Sequence, residues 1–164
     1  MFHTGFLVRW PPYLGPVAAC RAHYAYGMPA RRTVFGVVLT SVLVTTLHYA
    51  DNYLNLTEYP GPDWIAQEVV VLAWVLFTLI GVAAYLLYRA GRAVESGLYL
   101  LAYSVTGLSS LGHYAHGAPE DFTAKMHAGI WADGFVGLAV ALLGVIILSR
   151  FRSSDVSRGR DAEV

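Results

Sequence analysis

The sequence predicts an all-α integral membrane protein: a four-transmembrane-helix bundle built from two repeated helical hairpins, with both termini cytoplasmic. Three observations carry this expectation. Hydrophobic residues fill 56% of the 164 positions and charged residues only 13%, whereas an ordinary soluble domain is about 25% charged. Apolar runs long enough to cross a bilayer occur four times. Finally, His-Tyr-Ala stands at 48–50 and again at 113–115, an offset of 65 residues. The same offset, without a gap, sets Ser41 on Thr106, Thr45 on Ser110 and Glu68 on Asp133, which reads as an internal duplication of hairpins 31–92 and 93–150.

Residues 1–30 form an N-terminal arm with three prolines before Val17 and no sustained apolar period. The arm lacks the charged start, apolar centre and cleavage site of a signal peptide. Met28-Pro29-Ala30-Arg31-Arg32 leads directly into the first span, so Met28 is an alternative start. His3 and His23 lie in this arm, outside the site considered below. The one cysteine, Cys20, excludes an internal disulfide and a cysteine-based metal site.

Span 1 is expected over Thr33–Ala50. Within and just beyond it, Ser41, Thr45, His48 and Asn52 follow one face at spacings of four, three and four. Pro60-Gly61-Pro62 then breaks the chain and sets Asp63 as the cap of span 2, Trp64–Tyr88. Arg89 and Arg92 mark a turn short enough to make spans 2 and 3 antiparallel neighbours. Span 3 covers Val94–Gly112, and span 4 covers Lys125–Ser149. Gly134, Gly137, Ala141 and Gly144 in span 4 make a small-residue stripe that admits a close helix, inside the chain or in an oligomer. The basic segment 151–164 reads as a disordered tail.

The formal charge is zero, yet its distribution is lopsided. Arg31, Arg32, Arg89, Arg92 and the tail arginines flank one side, while the opposite loops hold only Lys125. The positive-inside rule places the arginines in the cytoplasm. Both histidine-bearing loops then face outward from the cell membrane, amid an interfacial belt of Tyr, Trp and Phe.

Carboxylates within a bilayer are costly and mark a site or pathway, which singles out Glu68 and Asp133. Histidine and carboxylate side chains projecting inward from facing helices are a recognised route to a metal centre. The candidate ligands are His48, Asp51, His113, His116 and His127. Such a donor set suits Zn first, with Fe, Mn or Cu as alternatives. A polar tie across each hairpin, His48 with Glu68 and His113 with Asp133, uses the same residues without a metal.

The resulting expectation is a small membrane metalloprotein with a His/carboxylate site at the extracytoplasmic end. Its candidate chemistry is metal-dependent hydrolysis of a lipid or interfacial substrate, with Ser109, Glu68 and Asp133 as catalytic residues. Ser109, four residues before His113, resembles the Ser-x-x-x-His element of membrane hydrolases that include the alkaline ceramidases. The chain lacks their downstream His-x-x-x-His, so no residue role is carried over. The alternatives are a b-type haem electron carrier, with His48 and His113 or His127 as axial ligands, or a metal or proton transporter or chaperone. Expected partners are the bilayer and a lipid or small-molecule ligand. Nothing resembles a nucleotide loop or a nucleic-acid surface.

Overall fold

The computed structural model describes residues 27–62 and 64–161. Their backbone is helical, with four long helices in chain order: α1 (Arg31–Leu54), α2 (Gln67–Arg89), α3 (Ala93–Leu108) and α4 (Ala124–Asp161). Three of them, α1, α2 and the Ala124–Arg152 part of α4, are long and apolar enough to cross a membrane. Their exteriors are dressed for lipid. Leu47, Leu72, Leu79 and Phe135 are each more than 60% exposed, while Ser41, Thr45, Ser96 and Asp133 are buried. A water-soluble bundle has the reverse arrangement.

The third apolar run behaves differently from the expectation. It stays α-helical only to Leu108 and then tightens into a seven-residue 3₁₀ segment, Ser109–Ala115. The cause is local. Ser109 and Ser110 donate their hydroxyls to the carbonyls of Thr106 and Gly107, at 2.9 and 2.6 Å. Side chains that bond carbonyls three residues back compete with the α-helical ladder, and the neighbouring glycines resist little. At about 1.5 Å per residue α3 alone spans roughly 24 Å, short of the ~30 Å hydrocarbon core.

The remaining boundaries differ by smaller amounts. α2 begins at Gln67 with Ala66 as its cap residue and no side-chain cap; Asp63, the expected cap, lies outside the described residues, as do His3, Cys20 and His23. Between α2 and α3 the chain reverses over three residues. There Gly91 takes φ +79°, and the amides of Gly91 and Arg92 return to the carbonyls of Tyr88 and Leu87. That is the glycine-dependent closure of a helix C-terminus. At its far end α4 runs on to Asp161, through the segment whose composition favours an unstructured tail.

Each helix packs on two neighbours in the cyclic order α1, α2, α3, α4, and α1 faces α3 across the bundle. The closest pair is α3 with α4. A Cβ on Gly107 would lie 2.4 Å from the Asp133 carbonyl, and one on Gly137 would lie 2.7 Å from the Leu108 amide. Further along, Gly144 meets the Gly97 carbonyl. The glycine stripe of span 4 is therefore engaged inside the chain, so its buried glycines offer no free face for an oligomer. On the other side of α3, Gly81 of α2 seats the Tyr103 ring and Ser96 Oγ donates to the Ala84 carbonyl at 2.9 Å.

The inward edge of α1 is Val34, Val38, Ser41, Thr45, His48 and Asn52, all buried. The predicted polar face is thus real, and it changes character along its length. Val34 and Val38 pack with Leu100, Val140, Leu143 and Ile147 into an apolar core. From Ser41 onward the stripe is polar. Arg31, Arg32, Arg89 and Arg92 lie exposed at the apolar end, and the two long loops close the other.

Because α3 and α4 meet backbone to backbone, adding one methyl should already be disruptive. Gly137→Ala is expected to lower stability by about 1–3 kcal/mol through overpacking, whereas Gly36→Ala, where nothing lies within 4 Å, should leave the melting temperature in mild detergent unchanged or raised. Equal effects of the two substitutions would show that the α3–α4 approach is looser than described.

Candidate functional site

At the loop end the structure joins the two copies of His-Tyr-Ala. His48, buried on α1, and His113, partly buried on the 3₁₀ segment, have ring centroids 5.6 Å apart at an interplanar angle of 81°. Tyr59, from the loop between α1 and α2, folds back over both. Its ring lies 5.1 Å from that of His113 and 6.3 Å from that of His48. No periodicity in the sequence marks Tyr59, because only the path of the loop brings it there.

Asp51 holds that loop in place. Its carboxylate accepts from Tyr59 Oη at 2.6 Å, from Asn55 Nδ2 at 2.7 Å and from Lys125 Nζ at 2.6 Å. One side chain thereby ties the end of α1 to the following loop and to the first turn of α4. The Lys125 ammonium is largely exposed, so it contributes only about 0–1 kcal/mol. The bond from Tyr59 is the one that seats an aromatic ring on the histidines. Burial, and then the bond to Asp51, push the Tyr59 phenol above its ordinary range.

His48 has Asn52 Nδ2 3.2 Å from its Nε2. With the Asn52 amide donating, the ring proton resides on Nδ1. Nδ1 has no hydrogen-bond partner and faces Gly129 of α4, where a Cβ would sit 3.1 Å from it. One turn further along the same face of α4 is Asp133, fully buried. Thr45 Oγ1 donates to Asp133 Oδ1 at 2.6 Å, while Oδ2 has no partner. The Tyr103 hydroxyl is close to Ser41 and Thr45 without completing a hydrogen bond. Across the bundle, Tyr49 Oη and Thr106 Oγ1 are 3.0 Å apart.

His48, Tyr49, Asn52, Tyr59, Thr106 and His113 border an open-sided chamber of about 750 Å³ between the ends of α1, α2 and α3 and both loops. His48, Asn52, Tyr59, His113, His116 and the Ser109–Ser110 pair supply its polar wall, while Ile65, Val69, Val70 and Ala73 supply an apolar one. Among the described residues, no Lys, Arg, Asp or Glu lines it. Desolvation pushes the His113 imidazole below its ordinary range, with His116 adding to the effect and the Pro60 backbone opposing it.

The other expected site residues go elsewhere. Glu68 is exposed on the first turn of α2, so the carboxylates that the 65-residue offset aligns part company: one faces out and the other is buried. The four aligned hydroxyls, on Ser41, Thr45, Thr106 and Ser110, are all buried. His127 is occupied at both nitrogens, by Tyr114 Oη at 2.6 Å and the Pro119 carbonyl at 3.1 Å. His116 is exposed at the chamber rim. Ser109 borders the chamber but donates its hydroxyl to a carbonyl.

Among the described residues, no three His, Cys, Asp or Glu side chains are placed to hold a metal ion. Of the expected ligands, Asp51 bonds Lys125, Tyr59 and Asn55 and His127 bonds Tyr114 and Pro119, while His48 and His113 face each other and His116 lines the same chamber. Two histidines alone do not make a closed metal centre. Compared with known proteins, the chain matches no family model, no curated protein and no solved structure. What the fold and site define is a class: a membrane protein, helical throughout its described residues, with a polar chamber at one end.

The lowered pKa of His113 sets a pH dependence. An unfolded chain takes up a proton at this residue near pH 6.5, before the folded chain does, so stability is present above that pH and declines as pH falls through it. The melting temperature of the purified protein should drop from pH 7.5 to pH 5.5, and His113→Asn should reduce the slope over that interval. An unchanged slope in the variant would remove His113 from the titration.

Proposed function

We propose that this chain is a four-span membrane protein that binds an uncharged small organic ligand in the chamber at its extracytoplasmic end. The observation that carries the reading is the chamber itself, bounded by the His48–His113 pair and Tyr59. Its volume falls in the range of about 300–1,000 Å³ usual for small-molecule sites, and it combines apolar walls with a few convergent polar groups. Imidazole, phenol, amide and hydroxyl groups in that wall both donate and accept hydrogen bonds. They suit a hydroxyl, carbonyl or phenol on the ligand.

A binding site fits better than a through-path. The polar stripe of α1 gives way at Val38 and Val34 to the apolar core around Leu100 and Ile147, and a conducted ion would have to cross that layer without a ligand. The hydrolase reading lacks a base, since among the described residues no hydrogen bond joins Ser109 to a histidine. For the fourth crossing, the first four residues of the 3₁₀ segment, 109–112, extend α3 by about 8 Å at ~2 Å per residue, which matches the bilayer thickness and leaves His113 beyond the span.

Two experiments test this reading. In a thermal-shift screen in nanodiscs, a neutral hydrogen-bonding ligand at 100 times its Kd should stabilise the protein by about 2.7 kcal/mol. His113→Ala should lose most of that shift. Stoichiometric metal in the purified protein, with no response to organic ligands, would overturn the reading and restore the metal centre. For orientation, cysteines placed in the 53–62 loop and in the tail should label oppositely with an impermeant reagent on intact cells. Labelling of the tail alone would move the chamber to the cytoplasmic side.

A further inference from the structure

A second cavity adjoins the chamber. It is a groove of about 300 Å³ between α1 and α2, and Tyr49 and Val70 form part of both walls. Thr46, Ala50, Tyr53, Leu54, Val71 and Trp74 line the rest, and of these Ala50, Tyr53, Leu54 and Val71 are exposed on the outer surface of the bundle. In a membrane that surface is lipid. Tyr53 is exposed, the Tyr49 hydroxyl is paired with Thr106 Oγ1, and the polar atoms of Thr46 and Trp74 are paired within the protein. Trp74 Nε1 donates to Thr46 Oγ1 at 3.0 Å, and Thr46 Oγ1 donates to the Val42 carbonyl at 2.6 Å. An occupant need offer no hydrogen bond, and only hydrocarbon matches such a wall without a desolvation cost.

We infer that the ligand is a long-chain amphiphile: its neutral hydrogen-bonding head sits in the chamber against His113 and His48, and its hydrocarbon chain lies in the groove between α1 and α2. The inference rests on the chamber being a ligand site. Continuity of the two cavities at Tyr49 and Val70 supplies the join between head and chain. Among the described residues no Lys or Arg lines the chamber, and without such cations to hold a phosphate a neutral head is selected. Entry from the bilayer also requires no opening of the loops that Asp51 secures.

The test is competition for a photo-crosslinking monooleoylglycerol, carrying a diazirine near its chain end, by protein in nanodiscs. Crosslinks are expected at residues 46–54 and 70–74. At equal bilayer mole fraction, unlabelled monooleoylglycerol should compete at least about tenfold better than monobutyrylglycerol, since each buried methylene adds to affinity. Ala50→Trp, which fills the groove from a lipid-facing position, should erase that chain-length advantage, and Val71→Trp should do the same from α2. His113→Ala should weaken both competitors. A chain-length advantage that survives both tryptophan variants would overturn the groove assignment, while a short-chain probe still sensitive to His113→Ala would leave the chamber reading standing. Tighter competition by oleoyl lysophosphatidate than by monooleoylglycerol would overturn the neutral head. Indifference of every probe to His113→Ala would remove the chamber reading along with the inference.

Discussion

The backbone contact of α3 with α4 at Gly107 and Gly137 governs the geometry of this molecule. A Cβ at either glycine would sit inside van der Waals distance of the opposite backbone, so the two helices approach as closely as helices can. Lipid tails are as apolar as leucine, and association in a bilayer relies on such close packing rather than on hydrophobic burial. Two consequences follow along the chain. The contact fixes Asp133 at depth, because its carbonyl is part of the interface. It also fixes the start of the 3₁₀ segment, and through it the position of His113. Ser110 strengthens that anchorage by donating to the Ile130 carbonyl as well as to Gly107, at 2.9 and 2.6 Å.

Asp133 is the most expensive residue in the bundle. An ionisable side chain at the middle of a membrane helix costs about 2.5–3.5 kcal/mol on insertion scales. A single hydrogen bond to a charged group returns about 1.5–3 kcal/mol. The bond from Thr45 therefore offsets the cost only in part, and Oδ2 remains without a partner. Turning inward toward Thr45 and Tyr103 is still far cheaper than facing lipid. The same reasoning explains why Ser41, Thr45, His48 and Asn52 share one edge of α1: Thr45 meets Asp133 and His48 meets His113 across the interior, Asn52 bonds His48 along the helix, and lipid would offer none of them a partner.

The polarity of the interior is graded from one end to the other. Valine, leucine and isoleucine close the arginine-bearing end, hydroxyls occupy the middle, and histidine, tyrosine and asparagine surround the chamber. That gradient confines hydrogen-bonding chemistry to a single end. The tyrosine that covers the histidines is held by Asp51, a carboxylate that does not line the chamber.

The sequence by itself determined the membrane class, the apolar runs and the polar edge of α1, because hydropathy and helical spacing are local properties and a bilayer demands long apolar segments. It also marked both His48 and His113 through the repeated tripeptide, and their rings lie 5.6 Å apart in the fold. It did not determine which way Glu68 and Asp133 face, since both neighbours and lipid are apolar and either face of such a helix reads alike. Packing against α1 and α3 buried Asp133, while Glu68, at the first turn of α2, stayed exposed. The short 3₁₀ turn, the fold-back of Tyr59, the engagement of His127 with Tyr114 and Pro119, and the internal use of the glycine stripe were likewise decided by tertiary contacts. Each joins residues from separate elements, whose relative positions no run of local spacing encodes.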